Sequence, residues 1–184
     1  MDAKPMGRKA KIAWTLAAVL LLAFLLLVPH RPFKDSVYST VVLDRNGELL
    51  GARISSDGQW RFPPSDSLPE KYRKALICFE DRWFYWHPGV NPFSLVRAFI
   101  GNVRAGHVTS GGSTITMQVI RMSRGKERTI WQKLIESIEA LRLEVSCSKK
   151  EILAMYAAHA PFGGNVVGLE AASWRYFGRP SDEL

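Results

Sequence analysis

The stretch SLPEKYRKALICFEDRWFYWHPGV, from Ser67 to Val90, decides the fold class of this chain. Ser67-Leu-Pro-Glu70 spells a capping box, and Leu68, Tyr72, Ala75, Leu76, Phe79 and Trp83 recur after it at helical spacing. The pattern predicts a helix with Glu80 and Asp81 near its C-terminal end and His87-Pro88-Gly89 as its stop. Downstream the periodicity stays helical. Asn91-Pro92 predicts an N-cap followed by proline at the first position of a helix through Ile100. A glycine-bearing loop, GNVRAGHVTSGG from Gly101 to Gly112, comes next, and Ser113 or Thr114 caps a short helix through Arg121. A capping box at Thr129-Ile-Trp-Gln132 opens a helix with Leu134, Ile135, Ile138, Leu141 and Val145 as its apolar stripe. Ser148-Lys-Lys-Glu151 caps another that ends before Pro161, and Leu169 to Phe177 forms the last, with Gly178 as its stop.

Upstream the pattern changes. Thr40 to Leu43, the turn Asp44-Arg-Asn-Gly47 and Glu48 to Ile54 read as a β-hairpin packed on the helical part. Ile12 to Val28, IAWTLAAVLLLAFLLLV, carries no charge and as a helix reaches roughly 25 Å, the short end for crossing a membrane. Lys4, Arg8, Lys9 and Lys11 precede it, so the positive-inside rule keeps the N-terminus cytoplasmic and sends the rest outward. A cleaved signal peptide is the competing reading, although Val28-Pro29-His30 is no small-x-small cleavage site. The expected organisation is a cytoplasmic N-terminus (1–11), a transmembrane anchor (12–28), a linker with the hairpin (29–66) and a mainly α domain (67–184).

The net charge of +8 suggests nucleic acid until its distribution is considered. Six basic residues lie in the first 34 positions against Asp2 alone, and the remainder carries 19 basic against 16 acidic residues. One local excess remains: Arg97, Arg104, Arg121, Arg124, Lys126, Arg128 and Lys133 share their stretch with Glu127 alone. Such a run suits phosphate groups, and it equally suits a solvated basic face. Cys78 and Cys147 are too few for a disulfide framework and read as buried thiols. The histidines show no metal-ligand spacing.

Three features bear on chemistry. Glu80-Asp81 stands among Phe79, Trp83, Phe84, Tyr85 and Trp86, and a carboxylate stripped of water by aromatic surface becomes a better base near neutral pH; a solvated pair at a helix end is the plainer reading. Ser110-Gly-Gly-Ser-Thr-Ile-Thr116 offers backbone N–H groups at a helix start, either to an anion or as an ordinary cap. Lys133 and Glu136 lie three apart on one helix face, as in an exposed ion pair. Ser146-Cys-Ser-Lys149 spells the S-x-x-K of penicillin-reactive acyltransferases but lacks their K-T-G, so the match reads as chance.

Taken in order, EDRWFYWHPGV (Glu80 to Val90), GGSTITMQ (Gly111 to Gln118), QKLIE (Gln132 to Glu136), SKKEILAMY (Ser148 to Tyr156) and GLEAASWRYFGR (Gly168 to Arg179) resemble the five successive motifs of the family 51 peptidoglycan glycosyltransferases. The resemblance runs from Val41 to the end. It implies a lysozyme-like helical domain at the outer face of a bacterial cytoplasmic (inner) membrane, polymerising lipid II. Glu80 would be the general base and Glu136 its acidic partner on the donor side. Ser113, Thr114, Gln118, Arg121, Arg128 and Lys133 would line the donor phosphates, with Asp81, Phe84, His87 and Lys149 as further substrate-side positions. No cofactor is required by the sequence; a divalent cation (Mg2+ or Mn2+) at Glu136 is what the resemblance allows. The implied partners are lipid II, the growing glycan chain, membrane lipids and other cell-wall synthesis proteins, with no nucleic acid.

The chain departs from the family pattern at several points. Met117 stands where many members have glutamine, Gln132 replaces an arginine, and Ala154 and Ala158 replace a glutamate and an asparagine. The chain also stops just after the fifth motif, where relatives continue with more of the same domain, so 67–184 reads as C-terminally incomplete. A lysozyme-like muramidase and an inactive membrane scaffold that binds lipid II are the alternative readings.

Overall fold

The structure, a computed structural model, describes residues 7–26, 32–65, 67–108 and 111–184. It is mainly helical: α1 (Arg8–Leu26), β1 (Thr40–Leu43), β2 (Leu49–Arg53), α2 (Glu70–Glu80), α3 (Pro92–Ala105), α4 (Ile115–Arg124), α5 (Ile130–Ser146), α6 (Lys149–His159) and α7 (Leu169–Phe177), with short 3-10 turns at Phe84–Trp86 and Ser181–Glu183. The two strands form one antiparallel sheet, Thr40 opposite Arg53 and Leu43 opposite Leu49, with a bulge between Val42 and Leu43. Its turn is closed by the Asp44 carboxylate, which accepts from the backbone N–H groups of Asn46 and Glu48. Gly47 alone takes a positive φ there, +88°. Val41, Leu49 and Ala52 pack with Phe62, Val166, Ala171 and Ala172, so the hairpin rests on α7 as expected.

The main core lies where α4 packs against both α5 and α6. Leu76, Phe84, Ile115, Met117, Val119, Ile120, Ala140, Leu143, Ile152 and Leu153 fill it. Met117 is fully buried there, which suits an apolar side chain at that position better than an amide. Four caps fall where the sequence places them: Asn91 accepts from Ser94 N, Thr114 from Met117 N, Thr129 from Gln132 N, and Ser148 with Glu151 forms a full capping box.

Several expectations are corrected. The capping box at Ser67 does not form: α2 begins at Glu70 behind Pro69, with no side-chain cap. α2 ends at Glu80 rather than at His87, because Asp81 leaves the helix to make long-range bonds described below, and Trp83 is therefore off the helix. α3 runs on to Ala105, absorbing the start of the expected loop, while residues 109 and 110 of that loop lie outside the described residues. On α5 the buried face is Glu136, Ala140 and Leu143, and the apolar stripe of Leu134, Ile138, Leu141 and Val145 is exposed. Cys78 is exposed and Cys147 half-buried, both free thiols.

The expected membrane crossing, 12–28, is described only to residue 26. α1 covers most of it, but residues 27 and 28, the preceding residues 1–6 and the linker's first residues, 29–31, lie outside the described residues. Among the described residues no helix is long and apolar enough to cross a membrane. The uncharged part of α1, Ile12 to Leu26, reaches about 22 Å, short of a hydrocarbon core of roughly 30 Å. α1 touches α5 through Arg142, whose Nε donates to the Phe24 carbonyl at 2.8 Å and whose guanidinium lies 4.1 Å from the Phe24 ring centroid. Beyond it the chain is held to α6, where Phe33 stacks on His159 at 3.6 Å and Ser36 donates to His159 Nε2.

Candidate active site

Glu80 closes α2 and is half-buried. Its Oε2 accepts from Gln118 Nε2 at 2.7 Å, and Gln118 Oε1 in turn accepts from Arg121 Nη2 at 3.3 Å. Gln118 and Arg121 lie three apart on α4, so one helix face presents both. The amide thereby holds one carboxylate oxygen in place and leaves the other to meet a proton. The charge on Glu80 also reaches two phenols. Burial first, and then that charge, pushes Tyr156 up to about 12; burial, with Tyr156 and Glu80, pushes Tyr72 up as well. Both phenols are therefore neutral donors at neutral pH.

Asp81, the next residue, is buried and accepts from His87 Nε2 at 3.0 Å and from the Ile115 backbone N–H at 3.1 Å. His87 Nδ1 accepts from Gly89 N, so the ring carries its proton on Nε2 and donates it to Asp81. Thr114 is buried, caps α4 and donates its hydroxyl to the Gly89 carbonyl. A side chain at Gly89 has no room: φ is +93°, and a Cβ would lie 2.6 Å from the Ala140 carbonyl oxygen. Phe84 is fully buried and Lys149 Nζ lies 4.3 Å from its ring centroid. Asp81, Phe84, His87, Thr114 and Lys149 are thus brought together, but as the frame behind Glu80. Ser113 is half-buried in the lead-in to α4.

Glu136 lies on the buried face of α5 with four cations around it. Burial raises its carboxyl above the ordinary value of 4.5, outweighing the downward pull of Arg121, Arg128, Arg124 and Lys133. Among the described residues no hydrogen bond or ion pair closes on it; Arg124 pairs instead with Glu139 at 2.6 Å and donates to Gln132 at 3.4 Å. Arg128 is exposed and Lys133 half-buried. Arg121 acts on both Glu136 and the Glu80 side, so it joins the two halves of the site. The residues do not fit a protein-held divalent cation: Glu136 has cations for neighbours, and among the described residues no three His, Cys, Asp or Glu gather as a metal-holding group. A folded-state pKa above the unfolded one contributes stability that is complete below about pH 4.5 and is lost as pH rises through the raised value. Glu136→Gln is therefore expected to raise Tm at neutral pH, with the gain vanishing in acid; thermal melts across that range check it.

The aromatic residues expected to dehydrate Glu80 mostly face outward. Phe79 and Trp86 are 88% and 82% exposed, Trp83 and Tyr85 are at least half exposed, and Phe84 alone is buried. Gln118 bonds Glu80, and Tyr72 and Tyr156 lie near enough to feel its charge. Sequence reasoning also missed Glu144, whose Oε1 accepts from Thr116 and pairs with Lys149 at 2.8 Å. A signal existed: Glu136, Ala140 and Glu144 are spaced by four, so all three share one face of α5. The S-x-x-K match was chance, since Ser146 donates to the Arg142 carbonyl and Lys149 is spent on other partners.

Residues of the first, second and fourth motifs form this frame, and residues 46–184 match the family model described as Transglycosylase. The chain belongs to the transglycosylase family. It is 43% identical over 154 residues to penicillin-binding protein 1C of Escherichia coli (strain K12), covering 83% of this chain and 20% of that protein. Penicillin-binding protein 1A of Aquifex aeolicus is 39% identical over 145 residues, 78% of this chain and 20% of the relative. Penicillin-binding protein 1B of Vibrio cholerae is 38% identical over 143 residues, 74% and 18%. The chain thus spans about a fifth of the length of these curated relatives. As a transglycosylase it has its family's motif order intact, and the substitution at Gln132 falls on a residue that accepts from Arg124.

Proposed function

We propose that this chain is a peptidoglycan glycosyltransferase domain, lysozyme-like in its helical plan, that polymerises lipid II into β-1,4-linked glycan and releases undecaprenyl pyrophosphate. The observation that carries the reading is the relay Glu80–Gln118–Arg121, which joins a half-buried carboxylate to the cations around Glu136. The acceptor sugar's 4-hydroxyl gives its proton to the free oxygen of Glu80 as it attacks the donor's anomeric carbon. Negative charge then develops on the departing pyrophosphate, and Arg121, Arg124, Arg128 and Lys133 stabilise it, with Ser113 at the mouth of α4. Glu136 adds a carboxylate on the donor side, close enough to Arg121, Arg128, Arg124 and Lys133 to feel their charge.

The same reading places the domain in the cell envelope, on the outer face of the cytoplasmic membrane, where a lipid-linked donor and a growing glycan chain meet. α1 supports this with Ile12, Trp14, Leu16 and Val19 to Leu22 all exposed, behind Arg8, Lys9 and Lys11. Residues 67–184 carry the catalytic groups and other cell-wall synthesis proteins are its natural neighbours. Ala154 and Ala158 line a cavity of about 70 Å3 with Phe62, Leu68, Lys150 and Gly168. Incubation of the purified chain with lipid II should give glycan polymer resolvable by gel; bound lipid II with no polymer would favour a scaffold instead.

A further inference from the structure

Lys149 was matched to the substrate side by motif, yet its ammonium has no direction left for a substrate. Its Nζ donates to Glu144 Oε1 at 2.8 Å and to the His87 carbonyl at 2.8 Å, and the Phe84 ring covers it at 4.3 Å. Three donors are thereby used on a carboxylate, a carbonyl and a π face. Glu144, whose side chain is 7% exposed, spends the same oxygen on the Thr116 hydroxyl. His87 hands its ring proton to Asp81, and Asp81 follows Glu80 directly while bonding the first residue of α4. The far end of the same segment is pinned where Gly89 lies on Ala140 and accepts from Thr114.

The geometry points to Glu144 and Lys149 as positioning residues for the transfer reaction: a half-buried ion pair that anchors residues 81–91 and so sets where the Glu80 carboxylate stands. The inference rests on the reading of Glu80 as the base. Removing Lys149 alone strands a carboxylate and a carbonyl in the interior, which costs both stability and the anchor. Removing both charges restores the stability but not the anchor. That separates positioning from mere support of the fold.

The test uses the full chain with Lys149→Met, Glu144→Met and the double variant. For Lys149→Met, kcat on lipid II should fall about 30-fold or more with KM within threefold. Farnesyl pyrophosphate, used as a probe of the cation site, should bind within threefold of its wild-type Kd. Amide exchange at Ile115, which reports the Asp81 bond, should quicken about tenfold. The double variant should recover at least half of the lost Tm while kcat stays low. A Kd weakened more than tenfold would make Lys149 a phosphate ligand and overturn the inference, as would unchanged Ile115 exchange or a kcat that recovers together with Tm. Should the wild-type chain make no polymer, the reading of Glu80 fails on its own, and Ile115 exchange with pyrophosphate binding still decides the role of Lys149.

Discussion

Glu80→Gln should slow glycan polymerisation by about 10^2- to 10^4-fold, the usual contribution of a general base. The substitution is nearly isosteric, and the new amide oxygen can still accept from Gln118 Nε2, which now holds Glu80 at 2.7 Å. What it cannot do is take a proton from an attacking hydroxyl. Because the frame behind it, Asp81 with His87 and Ile115, is untouched, Tm and farnesyl pyrophosphate binding should stay near wild type. Initial rates with lipid II are the measurement. A variant that polymerises at the wild-type rate sinks the assignment of Glu80 and with it the proposed mechanism.

Phe84→Ala should destabilise the domain by about 3–5 kcal/mol, the range for truncating a fully buried aromatic. Phe84 is 0% exposed and packs with Tyr85 at 5.3 Å and with His87 at 6.4 Å between ring centroids, besides covering Lys149. The cavity left would also uncover the Glu144–Lys149 pair, so the loss should sit at the upper end of that range. Urea titration of the variant beside wild type reads the difference directly. A cost below about 1 kcal/mol would show that the segment after α2 does not belong to the core.

These two residues show how far the chain could be read in advance. Glu80 was identifiable because an acid at a helix end followed by a run of aromatics is an uncommon juxtaposition, and because the later motifs stand in order. Its surroundings were not legible there, since Phe79 and Trp86 are exposed to solvent and Gln118 is the residue that bonds it. Periodicity likewise found α5 and misjudged it. A run of Leu134, Ile138, Leu141 and Val145 marks an apolar face but does not say whether protein packs on it, and here the opposite face, with Glu136 and Ala140, is the one that is buried.

Lys149 marks the same boundary from the other side. Its place at the start of α6 follows from the Ser148–Glu151 capping box, a matter of four adjacent residues. Its partners are His87, 62 residues away in sequence, and Glu144 across the turn between α5 and α6. By itself the sequence determined the helical class, the hairpin, every cap but that of α2 and the order of the motifs, because each depends on side chains within a turn or two of one another. Only the tertiary structure decided which motif residues lie beside Glu80 and Glu136 and which form the frame behind them. Burial and hydrogen-bond partnership belong to residues far apart in the chain, and local spacing carries no record of them.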